Sequence, residues 1–160
     1  MSLSGPHEDF LRLAIAEAVR GVKAGEGGPF GAIVVKDGVV IGRGCNQVTS
    51  RFDPTAHAEV QAIRAACAQL GNFQLDGCDV YASCEPCPMC LGALYWARPR
   101  AVYFAADRVA AAAAGFDDAD IYDELTRPLH ARRLSLQMLP VSEKDAPFAA
   151  WNASPGKVRY

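Results

Sequence analysis

His57, Cys87 and Cys90 carry ligand atoms that zinc favours, an imidazole nitrogen and two thiolates. Three protein ligands leave the fourth tetrahedral position open for water, which is the count of a catalytic centre. A structural zinc closes all four positions. Cys87 and Cys90 stand three apart, with Pro88 between them. Where a helix begins, that spacing turns both thiols toward one point. A helix start also favours the thiolate, because unsatisfied N–H groups and the macrodipole put positive charge there. His57 opens a second helical stretch and supplies the third ligand if the two helix starts converge. Cys84 competes as a fourth ligand, but it precedes Pro86 at a strand end, where its side chain can point elsewhere.

Glu59 follows His57 by two residues. Successive helical residues diverge by about 100°, so Glu59 is poorly aimed to be a fellow ligand. It can reach past the metal instead, taking a proton from a water there and delivering it to a substrate nitrogen. The plainer reading is a solvated glutamate balancing the dipole at a helix start.

Elements of alternating type must bring these groups together. Apolar residues at helical spacing predict a helix over Glu8–Ala24, ended by the glycines at 25, 27 and 28. Phe30–Lys36 and Val39–Arg43 are β-rich and joined by Asp37-Gly38, a hairpin signal. A polar loop follows, Gly44–Pro54. Ala56–Leu70 reads as a helix capped by Gly71, Asp79–Ser83 as a strand, and Pro88–Arg98 as a helix opened by proline. Ala101–Ala105 is the next strand. Val109–Ala114 and Ile121–Thr126 read as short helices, Leu134–Val141 as a strand, and Ala146–Trp151 as a last helical turn. The tail from Asn152 to Tyr160 is expected to be irregular. This alternation predicts an α/β fold, a three-layer α/β/α sandwich with a mixed central sheet.

The 160 residues suit a single domain spanning the chain, with 51% hydrophobic and 21% charged residues. A formal charge of −2 offers no basic field for a phosphate backbone, so a nucleic-acid partner is not expected. Neither a signal peptide nor a membrane span is legible, which makes a cytoplasmic location the expectation. Six cysteines, three scattered and three crowded between 84 and 90, do not read as a disulfide framework.

His-x-Glu followed by Pro-Cys-x-x-Cys is the signature of the zinc nucleobase deaminases. A narrower resemblance runs along nearly the whole chain. Gly28–Ala32, Asp53–Glu59, Ser83–Ala93, Tyr95–Arg98, Gly115–Asp118 and the terminal Tyr160 resemble the bacterial guanine deaminases, members of the cytidine deaminase-like fold. The resemblance implies Zn2+ as cofactor and hydrolysis of guanine to xanthine and ammonia, with Glu59 as the catalytic proton carrier. It also implies substrate contacts for Asn46, Phe30, Trp96, Asp118 and Tyr160.

Each substrate contact has a plainer counterpart. Asn46 suits a turn, Phe30 suits the core, and Trp96 suits burial by its own helix. Asp117 suits a helix cap, leaving Asp118 for the substrate. The resemblance further implies a homodimer in which the segment from about 145 to 160 crosses to the partner, so that Tyr160 closes the partner's site. A frayed terminus is the alternative. Rival activities on the same chemistry are deamination of tRNA adenosine, of a related nucleoside, or of an aminotriazine. A non-catalytic zinc module is opposed by Glu59.

Overall fold

A hydrophobic face on each side of one sheet organises the first part of the chain. The computed structural model describes residues 5–160. Its secondary structure opens with α1 (Pro6–Lys23), β1 (Gly31–Lys36), β2 (Val39–Cys45), α2 (Val48–Arg51) and α3 (Ala58–Leu70). It continues with β3 (Cys78–Cys84), α4 (Pro88–Ala97), β4 (Ala101–Ala106), α5 (Arg108–Ala113), α6 (Ala119–Thr126) and α7 (Ala146–Ala153). A single 3-10 turn covers Leu129–Ala131.

The strands lie in the order β2-β1-β3-β4. β1 is antiparallel to both β2 and β3, whereas β3 and β4 are parallel. The sheet is therefore mixed, as expected. Asp37 and Gly38 both take positive φ, 48° and 78°, the backbone that a two-residue turn needs to match strand twist.

Side chains alternate between faces along each strand. Ile33, Val35 and Tyr81 pack with Ala14, Phe10 and Leu11 of α1. Ala32, Val34 and Val80 pack with Ala58, Ala62 and Ala66 of α3 and with Leu94 and Ala97 of α4. Helices thus cover both faces, so the central strands are largely apolar and β3 is buried throughout, Asp79 and Ser83 included.

The pairing gathers chemistry at one end of the sheet. Because β1 runs against both neighbours, its start lies beside the ends of β2 and β3, with Gly31 opposite Cys45 and its N–H donating to Ser83 Oγ at 3.0 Å. Phe30, Asn46 and the Cys84–Cys87 segment therefore leave the sheet together. α3 comes in close because β2 presents glycine beneath it. A Cβ at Gly44 would sit 2.3 Å from the Ala58 carbonyl oxygen and 2.6 Å from the Ala62 nitrogen.

Several expected elements shift. The helix read from Ala56 begins at Ala58, with His57 as its cap, and the polar loop contains the single-turn α2. The strand expected over Leu134–Val141 does not form. The described chain separates into two compact units, one reaching Ala119 and the other Asp120–Tyr160. The second unit contains no strand that could pair with residues 134–141, and an unpaired strand leaves its backbone groups to water. The single-domain expectation does not contain this boundary, which no proline- or glycine-rich linker marks.

Within the second unit, Arg133 pairs with Asp120, its N–H donates to Glu124 at 2.7 Å, and Arg132 donates to the carbonyls of Leu125 and Arg127. None of this unit's residues is buried, and its Leu134, Met138 and Leu139 are largely exposed. No helix among the described residues is long and apolar enough to cross a membrane.

Gly44→Ala should lower stability by about 1–3 kcal/mol, read from denaturant unfolding, because backbone rather than a flexible side chain meets the new methyl. Unchanged stability would show that α3 can move off β2 without cost.

Candidate active site

Two short turns aim the metal-ligand candidates. Before α3, Asp53 Oδ1 accepts from the Thr55 N–H at 2.8 Å and its hydroxyl at 2.7 Å, while the Asp53 carbonyl accepts from Ala56. This turn leaves His57 extended at the cap position, with its ring free of the helix. Before α4, Cys87 is the cap and its Sγ accepts the Cys90 N–H at 3.5 Å. Pro88 occupies the first helical turn, where its missing N–H costs nothing.

The two helix starts converge as expected. His57 Nδ1 lies 3.5 Å from the Sγ of Cys87 and 3.5 Å from that of Cys90, and all three ligand atoms fall within 4.8 Å of one another. Ideal tetrahedral zinc, with Zn–S of about 2.3 Å and Zn–N of about 2.05 Å, sets nitrogen and sulfur about 3.6 Å apart. The donors therefore fit the ion without rearrangement. Cys84 is not in the cluster; its Sγ points to the Asp107 carbonyl at 3.5 Å.

Electrostatics agree with the geometry. The Cys87 thiol is driven down to about 4, first by the hydrogen bond with the Cys90 thiol and then by His57 and the helix N–H. The Cys90 thiol is pushed up by that bond and by burial. The imidazole of His57 is raised chiefly by its bond to Cys87. A dication placed between these groups favours the thiolates and the neutral imidazole.

Glu59 is 6% exposed and its Oε2 lies 3.3 Å from Cys90 Sγ. Burial is the main cause that raises its carboxyl above the usual range. Desolvation disfavours the charged form, so this carboxylate holds a proton more readily than one in water. A solvated helix-start glutamate would show neither the burial nor the contact.

The cluster opens into a cavity of about 460 Å³ lined by Phe30, Asn46, His57, Glu59, Phe116 and Asp118, among others. Asn46 is buried and its Oδ1 accepts from Gly28 N–H at 3.1 Å and Val48 N–H at 3.2 Å. Those two bonds fix the amide, so only its N–H2 faces outward for a ligand. The residue thus acts as a turn organiser and a donor together. Phe30 meets Phe116 edge to face, centroids 5.0 Å apart, and the pair walls the cavity. Asp117 Oδ1 accepts from Ala119 N–H at 2.9 Å at the start of α6, while burial raises the Asp118 carboxyl.

Trp96 is placed differently from the expectation. It is 62% exposed on α4 and is absent from the cavity lining. Helix α4 is apolar nearly all round, so spacing could not say which side Trp96 takes. Tyr160 lies in the second unit, at the chain end, and is exposed. Glu85, Arg108, Val48 and Thr49 also line the cavity and were not singled out in the sequence. Arg108 follows the Asp107 cap of α5, and its N–H donates to Glu85 at 3.1 Å.

Over residues 4–106 the sequence matches the family described as the cytidine and deoxycytidylate deaminase zinc-binding region. The chain belongs to this family. Among its members, guanine deaminase of Bacillus subtilis (strain 168) is 54% identical over 154 residues, covering 96% of this chain and 99% of that one. The solved structure of Bacillus subtilis guanine deaminase superposes with a TM-score of 0.94 at 55% identity, covering 96% and 98% of the two chains. Guanine deaminase from Nitrosomonas europaea superposes at 0.67 with 33% identity, over 74% of this chain and 68% of that one. A tRNA-specific adenosine deaminase of Aquifex aeolicus is 46% identical over 62% of this chain and 65% of its own. The family's zinc-binding region thus coincides with the converged donors of His57, Cys87 and Cys90.

Proposed function

We propose that this chain hydrolyses guanine to xanthine and ammonia, with zinc held by His57, Cys87 and Cys90. The observation that carries the reading is the likeness to guanine deaminase along almost the entire chain, second unit included. The tRNA deaminase likeness covers 62% of the chain.

Zinc held by His57, Cys87 and Cys90 would supply a water acidic enough to be a nucleophile at neutral pH. Glu59 takes the proton released as that water adds to C2 of the purine. It passes that proton to the neighbouring ring nitrogen. It then takes the proton of the new C2 hydroxyl and delivers it to the amine, so that the C2–N bond breaks, ammonia leaves and the C2 carbonyl of xanthine remains. Burial suits Glu59 to this work, because its raised proton affinity lies nearer that of the groups it exchanges with. The Asn46 N–H2 donates to an acceptor on the purine rim, and Asp118 accepts from guanine N–H groups that adenine presents differently. Phe30 and Phe116 hold the ring in an apolar slot and exclude water.

The protein is further proposed to act as a homodimer in the cytoplasm, with the segment around 145–160 crossing to the partner and Tyr160 closing its site. Exposed apolar side chains support an interface, both on α4 (Leu91, Tyr95 and Trp96) and along the second unit (Phe148 and Val158). On this reading Trp96 contributes to the interface, not to the pocket of its own chain. Light scattering should return the mass of two chains; a single-chain mass at micromolar protein removes the swap.

Ammonia release should be measured from guanine, guanosine, adenine, cytosine, cytidine, an aminotriazine and an RNA hairpin. Guanine is expected to turn over fastest, and rapid turnover of another member without guanine would overturn the assignment. Glu59→Gln should lower kcat by about 10²–10⁴-fold while keeping its zinc. Full activity in that variant would remove Glu59 as the proton carrier.

A further inference from the structure

The loop that brings Asn46 into the cavity is held by Glu26 and Gln47, which do not line the cavity. Glu26 sits in the glycine-rich turn after α1, where its own N–H donates to the Gly21 carbonyl at 2.9 Å. Its carboxylate accepts from Arg20 at 2.7 Å, from the Cys45 thiol at 3.4 Å, and from Gln47 Nε2 through a short bond. Its backbone carbonyl accepts from Ser50 N–H at 3.3 Å and from the Thr49 hydroxyl at 3.4 Å. One residue therefore grips the chain at 45, 47, 49 and 50, on both sides of Asn46 and Val48.

Gln47 extends the grip. Its Oε1 accepts from Gln61 of α3 at 2.7 Å, and its backbone N–H donates to the Ala56 carbonyl at 2.9 Å, immediately before His57. On the other side, Gly28 N–H donates to Asn46 Oδ1, and a Cβ at Gly27 would lie 2.4 Å from that oxygen. The turn carrying Glu26 and the loop carrying Asn46 are thus joined in close register, leaving no slack between them.

We propose that Glu26 is a positioning residue for guanine binding: through Gln47 and the 49–50 backbone it sets the place from which the Asn46 amide meets the purine. This rests on the guanine deaminase reading above. The charge is part of the device. Arg20, first, and then Gln47 and Cys45 hold the Glu26 carboxyl below its usual range, so it remains an acceptor on every side at neutral pH. A neutral amide at 26 keeps one acceptor oxygen and turns an N–H2 either toward Arg20 or toward Cys45 and Gln47, so one side loses its acceptor. Two donors facing each other push the loop away.

The consequence is specific to binding. His57, Cys87 and Cys90 are held by their own helix starts, and Glu59 by α3, so the chemical step keeps its parts when the loop shifts. Asn46 does not. Loss of a charged acceptor therefore acts on KM more than on kcat.

The test compares the parent, Glu26→Gln, Gln47→Leu, and the exchanged pair Glu26→Gln with Gln47→Glu. Guanine kinetics, zinc content and thermal midpoint are measured on each. In Glu26→Gln, KM for guanine should rise about tenfold, with kcat within threefold and zinc content unchanged. The exchanged pair restores a carboxylate–amide bond between 26 and 47 and keeps the Gln61 donor satisfied. It should recover at least half of the lost binding on a logarithmic scale.

A KM within twofold of the parent in a folded, zinc-loaded Glu26→Gln protein overturns the proposal. So does a parallel fall in kcat, zinc content and thermal midpoint that the exchanged pair fails to reverse, the pattern of a purely structural residue. If the parent does not turn over guanine, the activity reading fails by itself. The KM comparison then proceeds on whichever purine in the panel the parent accepts.

Discussion

Two helix starts must meet at a point, and the rest of the site follows from that demand. His57 Nδ1 stands 3.5 Å from each thiol only because α3 lies directly on β2. α3 can lie there only because β2 offers hydrogen atoms at Gly42 and Gly44, where a methyl would strike the helix backbone. Side chains of ordinary size beneath α3 would lift its N-terminus by ångströms, and a tetrahedral ion tolerates far less. The sheet's antiparallel β1 then sets the β3 end, from which Cys87 and Cys90 emerge, beside the β2 end that leads to Asn46. Packing distance thus becomes coordination distance, which becomes chemistry.

The same packing tunes proton affinity in opposite directions within a few ångströms. Cys87, bonded by the Cys90 thiol and by His57, gives up its proton readily; burial raises the proton affinity of Glu59. A thiol ligand must give up its proton to hold the ion, whereas a proton carrier must both accept and release. Burial raises one carboxyl, and the Cys90 thiol and then His57 lower one thiol, so a single fold provides both behaviours. The loop bearing Asn46 is less secured by core packing and depends on polar clasping by Glu26 and Gln47.

Legibility in the sequence tracks how local each cause is. The Pro86–Cys90 run and the Asp37-Gly38 hairpin are decided within a few residues, and both form as their types demand. His57 was readable as a helix-start ligand; that it caps the helix from an extended backbone was a shift of two residues in the helix start. Asn46 was readable as a polar loop residue. Its orientation comes from Gly28, 18 positions away, and no spacing rule reaches that far. Glu26 carried one signal, a lone carboxylate in a glycine-rich turn. Such a residue ordinarily faces water, and nothing nearby in sequence names Cys45 or Gln47 as its partners. Trp96 lay beyond reading because α4 has apolar residues on every side. The 134–141 stretch alternates like a strand, but alternation specifies a face and cannot supply a neighbouring strand.

The central claim is a three-donor site with one open position, built by His57, Cys87 and Cys90 to the exclusion of Cys84. X-ray absorption at the zinc edge of the metal-loaded protein reads this directly. Two sulfur scatterers at about 2.3 Å and two lighter scatterers near 2.0 Å are expected, one of the latter an exchangeable oxygen. Three sulfurs and one nitrogen, with no exchangeable ligand, would mean that Cys84 closes the site and would contradict the account.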